Sequence, residues 1–123
     1  MLLALLVPRA AASQECGDRP TQAEMNRCAA AEFARVDAAL TKAYDEYRSR
    51  LNEDQGRRLG DAQRAWRRFR DLWCGFESSA VVGGSAHPFV RHSCLAEVTR
   101  ARLRQLSVAA VCEEGDLSCP APR

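Results

Sequence analysis

The chain has two histidines, no CxxC pair and no apolar run long enough to cross a bilayer. The first two absences remove the usual zinc frameworks. His87 and His92 lie five residues apart, roughly 140° around a helix, so they do not converge on one ion. The apolar stretch Leu2–Val7 is far shorter than the ~20 residues that span a membrane. No serine has a readable His–Asp partnership, so a hydrolase triad is not supported. The 16 acidic residues are spread over polar faces, and no carboxylate pair for glycosidic cleavage can be picked out. Internal repeats and long linkers are lacking too. With no nucleophile, metal set or cofactor motif, a non-catalytic protein without metal or cofactor is expected.

Strong charge of one sign is also missing. The formal net charge is +2, and removing residues 1–12 takes out one arginine and no acid, leaving +1. That balance gives no bulk field to attract nucleic acid or a membrane surface.

What is present begins with a secretory pattern. Leu2–Val7 is followed by small residues at Ala10 and Ala12, which places cleavage after Ala12. No basic residue precedes the apolar run, which points to a start upstream of Met1. Ser13-Gln14-Glu15 before Cys16 does not resemble a lipoprotein cleavage box, so a periplasmic or secreted product is expected. Six cysteines in an exported chain of this length read as three disulfides.

The body of the chain reads as all-α, a small antiparallel bundle of three helices over about residues 21–51, 55–82 and 88–110. Thr21 and Glu24 have the spacing of a capping box. Met25, Ala29, Phe33, Val36, Leu40, Tyr44, Tyr47 and Leu51 then recur every three or four residues as one core seam. Asn52-Glu53-Asp54 reads as a turn, with the second helix starting near Asp54 or Gln55. Its spine is Leu59, Ala62, Trp66, Phe69, Trp73 and Phe76, a stripe expected to be covered by the other helices. Gly56 and Gly60 weaken its first turns, and Gly83-Gly84 is expected to stop it. Pro88 suits the first turn of the third helix, whose apolar positions are Phe89 or Val90, Leu95, Val98, Leu103 (or Arg102) and Leu106. Residues 13–111 thus form the helical domain, and 112–123 a closed tail.

Helix heights rank the cysteine pairings. About the 83–87 loop, Cys74 and Cys94 differ in height by only about 3 Å. About Glu53, Cys28 and Cys74 differ by about 6 Å, a poorer match. The leader from Cys16 to Thr21 extends roughly 16 Å and can fold back to Cys28. These numbers favour Cys16–Cys28, Cys74–Cys94 and Cys112–Cys119; the crossed alternative is Cys16–Cys94 with Cys28–Cys74.

Several segments together resemble the lysozyme-inhibitor LprI-like domain family. They are Cys16, Thr21-Gln22-Ala23-Glu24-Met25-Asn26-Arg27-Cys28-Ala29, Ala62-Gln63-Arg64-Ala65-Trp66, Phe69-Arg70-Asp71 with Cys74, Gly83-Gly84-Ser85, and Cys94-Leu95 with Thr99 and Arg102. The likeness spans about residues 16–108. It implies an exported, disulfide-bonded helical domain, agrees with the sequential pairing, and implies a role in blocking lysozyme at the bacterial envelope. The alternative role is an envelope structural or interaction domain with no enzyme target. Gln63, Trp66, Phe69 and Arg70 form the core motif; Gln63, Arg64, Arg70 and Asp71 are expected to tie helices together, and Arg67–Asp71 to be a surface pair. Ser85 and His87, on a glycine-rich loop stapled at its base, are the candidate contacts for lysozyme or another envelope protein, with His87 as helix cap the alternative role. Glu113, Glu114 and Asp116 form an acidic secondary contact suited to a basic partner.

Overall fold

The computed structural model describes residues 15–113 and 115–120; the proposed leader, residues 1–12, and Glu114 lie outside them. Three long helices carry the fold: α1 (Gln22–Ser49), α2 (Glu53–Glu77) and α3 (His87–Ala109), with a 3₁₀ turn at Ser79–Val81. There is no strand among the described residues, and no helix there is long and apolar enough to cross a membrane.

Local chemistry sets the helix ends. The Thr21 hydroxyl accepts the Glu24 amide at 3.2 Å and starts α1. The turn to α2 is tighter than the sequence predicts. Asn52 is itself the N-cap, its Oδ1 accepting the Gln55 amide at 2.8 Å, and α2 begins at Glu53. The far end of α2 also differs from expectation. The helix stops at Glu77 rather than 82, with Ser78 as its C-cap, whose buried hydroxyl donates to the Cys74 carbonyl at 2.7 Å. The Gly83-Gly84 pair therefore shapes the following loop, with Gly83 at φ 83°, rather than ending the helix. Pro88 sits in the first turn of α3 as expected, but the N-cap is Ala86 with no side-chain cap. His87 is the first helical residue and not the cap.

The α1 seam packs inward. Leu40, Tyr47 and Leu51 join Leu106 of α3 in one buried cluster, flanked by Tyr44, Leu59, Trp66 and Leu103. A second cluster holds Cys74, Cys94 and Leu95 beside Phe33 and Val98. Packing is closest between α1 and α3; α2 leans on α3 and approaches the α1 backbone little. Three disulfides staple this frame: Cys16–Cys28 holds the segment 16–21 against α1, Cys74–Cys94 ties α2 to α3, and Cys112–Cys119 closes the tail.

The expected spine of α2 is where the structure corrects the sequence reading. Its buried residues are Gly56, Gly60, Gln63, Arg70 and Cys74. Each lies one position along from Leu59, Ala62, Phe69 or Trp73, or one turn further on the same line, which rotates the buried face by about 100°. Trp66 and Leu59 are half-buried at its border, while Ala62, Phe69, Trp73 and Phe76 face solvent. The displacement has a packing cause. Tyr44 and Arg48 of α1 lie across Gly60, where a Cβ would come within 3.0 Å of the Arg48 guanidinium and 3.3 Å of the Tyr44 hydroxyl. The glycines thus serve as a contact surface for two large side chains. Farther along, the space between the helices is filled by Arg70.

Candidate functional site

Arg70 has a side chain only 7% exposed. It reaches all three helices: its guanidinium donates to Asp37 of α1 at 3.1 Å, to Thr99 of α3 at 3.3 Å and to neighbouring Asp71 at 3.0 Å. The same group lies 5.2 Å from the Phe33 ring and 5.1 Å from the Trp66 ring, within cation–π range. Beside it, Arg102 donates to Gln63 Oε1 at 3.0 Å and covers the other approach to Trp66 at 5.8 Å. Burial pushes the Arg102 guanidinium below its usual range by desolvation. Gln63, Trp66, Arg70, Thr99 and Arg102 therefore form one polar-aromatic unit between helices. Two of the three guanidinium nitrogens of Arg70, Nε and Nη1, are occupied from within. Asp71 pairs with Arg70; the Arg67–Asp71 surface pair expected from spacing does not form.

Turning Arg70 and Gln63 inward turns a row of aromatics outward. Phe69 is 56% exposed, Leu72 64%, Trp73 41% and Phe76 68%. The rings are ordered against one another: Phe69 and Trp73 stack at 6.2 Å and 17°, and Trp73 meets Phe76 at 5.6 Å and 44°. Arg64, Arg67, Arg68, Asp71 and Leu72 line a shallow depression alongside. Arg64 is paired with Asp61, whereas Arg67 and Arg68 make no ion pair among the described residues. The sequence shows the stripe plainly; its period cannot say which side of the helix the partner helices cover.

The sequence-predicted contacts fall in two places. Ser85 is exposed and His87 half-buried, on the loop between α2 and α3. That loop is pinned to α1, since Asn26 Nδ2 donates to the Ser85 carbonyl at 3.0 Å while Asn26 Oδ1 accepts from Gln22 at 2.8 Å. Glu113 and Asp116 are exposed at the opposite end of α3, about 30 Å away by helix rise. The structure thus separates the two groups. Asp116 is engaged locally: its carboxylate accepts the Ser118 amide at 2.9 Å and hydroxyl at 2.8 Å, and these bonds hold it below its ordinary range. The ridge and the Ser85–His87 loop share the same end of the bundle.

A third surface is a groove of about 550 Å³ between α1 and α3, with Val36, Ala39, Leu103 and Val108 under a rim of Arg35, Arg100 and Arg104. Glu32 already binds both Arg35 and Arg100 there. No group of three or more His, Cys, Asp or Glu that could hold a metal occurs among the described residues.

Comparison with known proteins gives one family and one relative. The family described as lysozyme inhibitor LprI matches residues 12–106. An uncharacterized protein of Rhizobium meliloti (strain 1021) is 31% identical over 122 residues, covering 86% of this chain and 87% of the relative. No solved structure matches.

Proposed function

Since the chain belongs to the lysozyme inhibitor LprI family, we propose that it is an extracytoplasmic binding protein that blocks a lysozyme-type muramidase without catalysis. The observation that carries this reading is the family match over residues 12–106, which covers the three helices apart from the last residues of α3. Three disulfides support it, because such crosslinks persist in oxidising compartments outside the cytoplasm. The stapled bundle supports it as well: a rigid scaffold lowers the ordering cost of binding. In this reading the α2–α3 end is the contact end, with Ser85 and His87 on its loop. Glu113 and Asp116, at the other end of α3, lie outside that contact.

The test is a lysis assay with purified, disulfide-intact protein and an animal-type lysozyme acting on bacterial cells. Clearing should slow in proportion to added protein and stop changing near equimolar ratio. Unchanged clearing at large excess rejects the muramidase target and leaves an envelope interaction domain.

A further inference from the structure

We infer that the Phe69–Leu72–Trp73–Phe76 ridge of α2, with Arg68 beside it, is the surface that enters the sugar-binding cleft of the muramidase. This inference rests on the function proposed above and names the surface that would perform it.

The first support is the exposed apolar surface. Four large side chains, 41–68% exposed, form one row. Together they present on the order of 400 Å² of apolar surface, the size of the largest patch on a typical monomer, which is often functional. The row runs about 10 Å along the helix, from Phe69 to Phe76. Its rings are already packed on one another, so little side-chain freedom remains to be lost on binding. Trp and Arg are also the residues that most often dominate interface energetics.

Charge selects the partner. Enzymes that cleave glycosidic bonds place two carboxylates on either side of the scissile bond, inside a cleft that takes sugar rings. A convex row of aromatic rings beside the uncompensated guanidinium of Arg68 is complementary to such a cleft in shape and in sign. Arg68 is exposed on α2 and makes no ion pair among the described residues, so it is available to carboxylates. The α1–α3 groove offers less, because Glu32 and Glu97 pair with Arg35 and Arg100 there, leaving Arg104 without an ion pair among the described residues. A second copy of the chain fits poorly. It would bring further arginines to the same seam, and the acids on that flank, Asp61 and Asp71, are occupied by Arg64 and Arg70.

The experiment measures binding of the disulfide-intact protein to an animal-type lysozyme, with and without a trimer of N-acetylglucosamine occupying the cleft. Trp73→Ala/Phe76→Ala should weaken binding ~30-fold or more, the loss expected of a hot-spot pair, while its thermal midpoint stays near that of the parent. Arg68→Glu, at an exposed position, should weaken binding ~10-fold with a smaller salt dependence. The sugar trimer should compete with the parent. Parent-like binding by both variants overturns the ridge assignment and leaves the muramidase reading standing. Binding that the trimer does not affect overturns the cleft. A parent that binds no lysozyme overturns both, and ridge-dependent self-association or capture on anionic vesicles in its place assigns the ridge to that partner.

Discussion

Arg70 shows how one side chain sets the orientation of a whole helix. Its guanidinium satisfies Thr99, which is fully buried, and holds Asp37 and Asp71 while lying between two aromatic rings. Arg70→Met should cost about 3 kcal/mol, because Thr99 is left unpaired and α1 loses its link to α2. Arg70→Lys should recover little, since an ammonium cannot bridge three acceptors and stack on two rings at once. Chemical denaturation of the three proteins checks both statements. Trp66→Ala should be milder than loss of a fully buried aromatic, about 2 kcal/mol, because Trp66 is only half-buried. The two buried glycines should behave differently. At Gly56 a Cβ would sit 3.6 Å from Arg48, an ordinary contact, so Gly56→Ala should stabilise by about 0.5–1 kcal/mol through helix propensity. At Gly60 the 3.0 Å approach must first displace Arg48 from its 2.8 Å bond to Tyr44, which cancels part of that gain. Two aspartates should titrate low for different reasons. Asp54 is held down chiefly by the Arg58 hydrogen bond and then by Arg57; Asp116 is held down chiefly by the Ser118 amide. A carboxyl depressed in the folded state contributes stability above its unfolded pKa of about 3.9, lost as pH falls through the folded value. Carboxyl NMR titration should therefore show both below an ordinary aspartate, with added salt raising Asp54 and leaving Asp116 nearly unmoved.

At the level of the helices, what the sequence reveals and conceals can be traced to particular residues. The α1 seam is readable because Ala29, Val36, Leu40, Tyr47 and Leu51 are all buried, so its apolar period and its packed face coincide. In α2 they diverge. The stripe Ala62, Phe69, Trp73 and Phe76 has the regular spacing of a core, yet Gly60, Gln63 and Arg70 take the inward positions. Hydrophobic period reports that one face is apolar, and it is silent on whether the fold or a partner covers that face. The buried arginine becomes readable only once Asp37 and Thr99 are known to face it from other helices. Helix heights do anticipate that Cys74 can reach Cys94, because that estimate needs only rise and register. This bridge encloses a 20-residue separation around the α2–α3 loop, and losing it should cost roughly 3 kcal/mol. Reduction should follow burial. Cys74 and Cys94 are shielded whereas Cys112 and Cys119 are half-buried, so limited reductant followed by alkylation should label the tail pair first. Mass mapping of the alkylated peptides checks the order, and early labelling of Cys74 would contradict the packing of that cluster.

For the whole molecule, Gln63 and Arg70 of α2 face the other helices while Phe69, Trp73 and Phe76 face outward. That inversion links stability to the proposed activity. The Arg70 unit holds α2 in register, the Cys74–Cys94 bridge fixes its C-terminal half against α3, and the ridge is presented on the outer side of that half. A domain of this size has a small margin of stability, so an apolar ridge left exposed is a cost that a binding role would explain. The most direct measurement is fluorine NMR of protein labelled with fluorotryptophan, with Trp73→Phe assigning its two signals. The Trp73 signal should respond to exchange of water for heavy water in the free protein more than that of Trp66 does. Unlabelled lysozyme should shift or broaden the Trp73 signal and leave that of Trp66 nearly in place. A Trp73 signal shielded from solvent in the free protein would contradict the orientation of α2, and one unmoved by saturating lysozyme would contradict the ridge as its binding face.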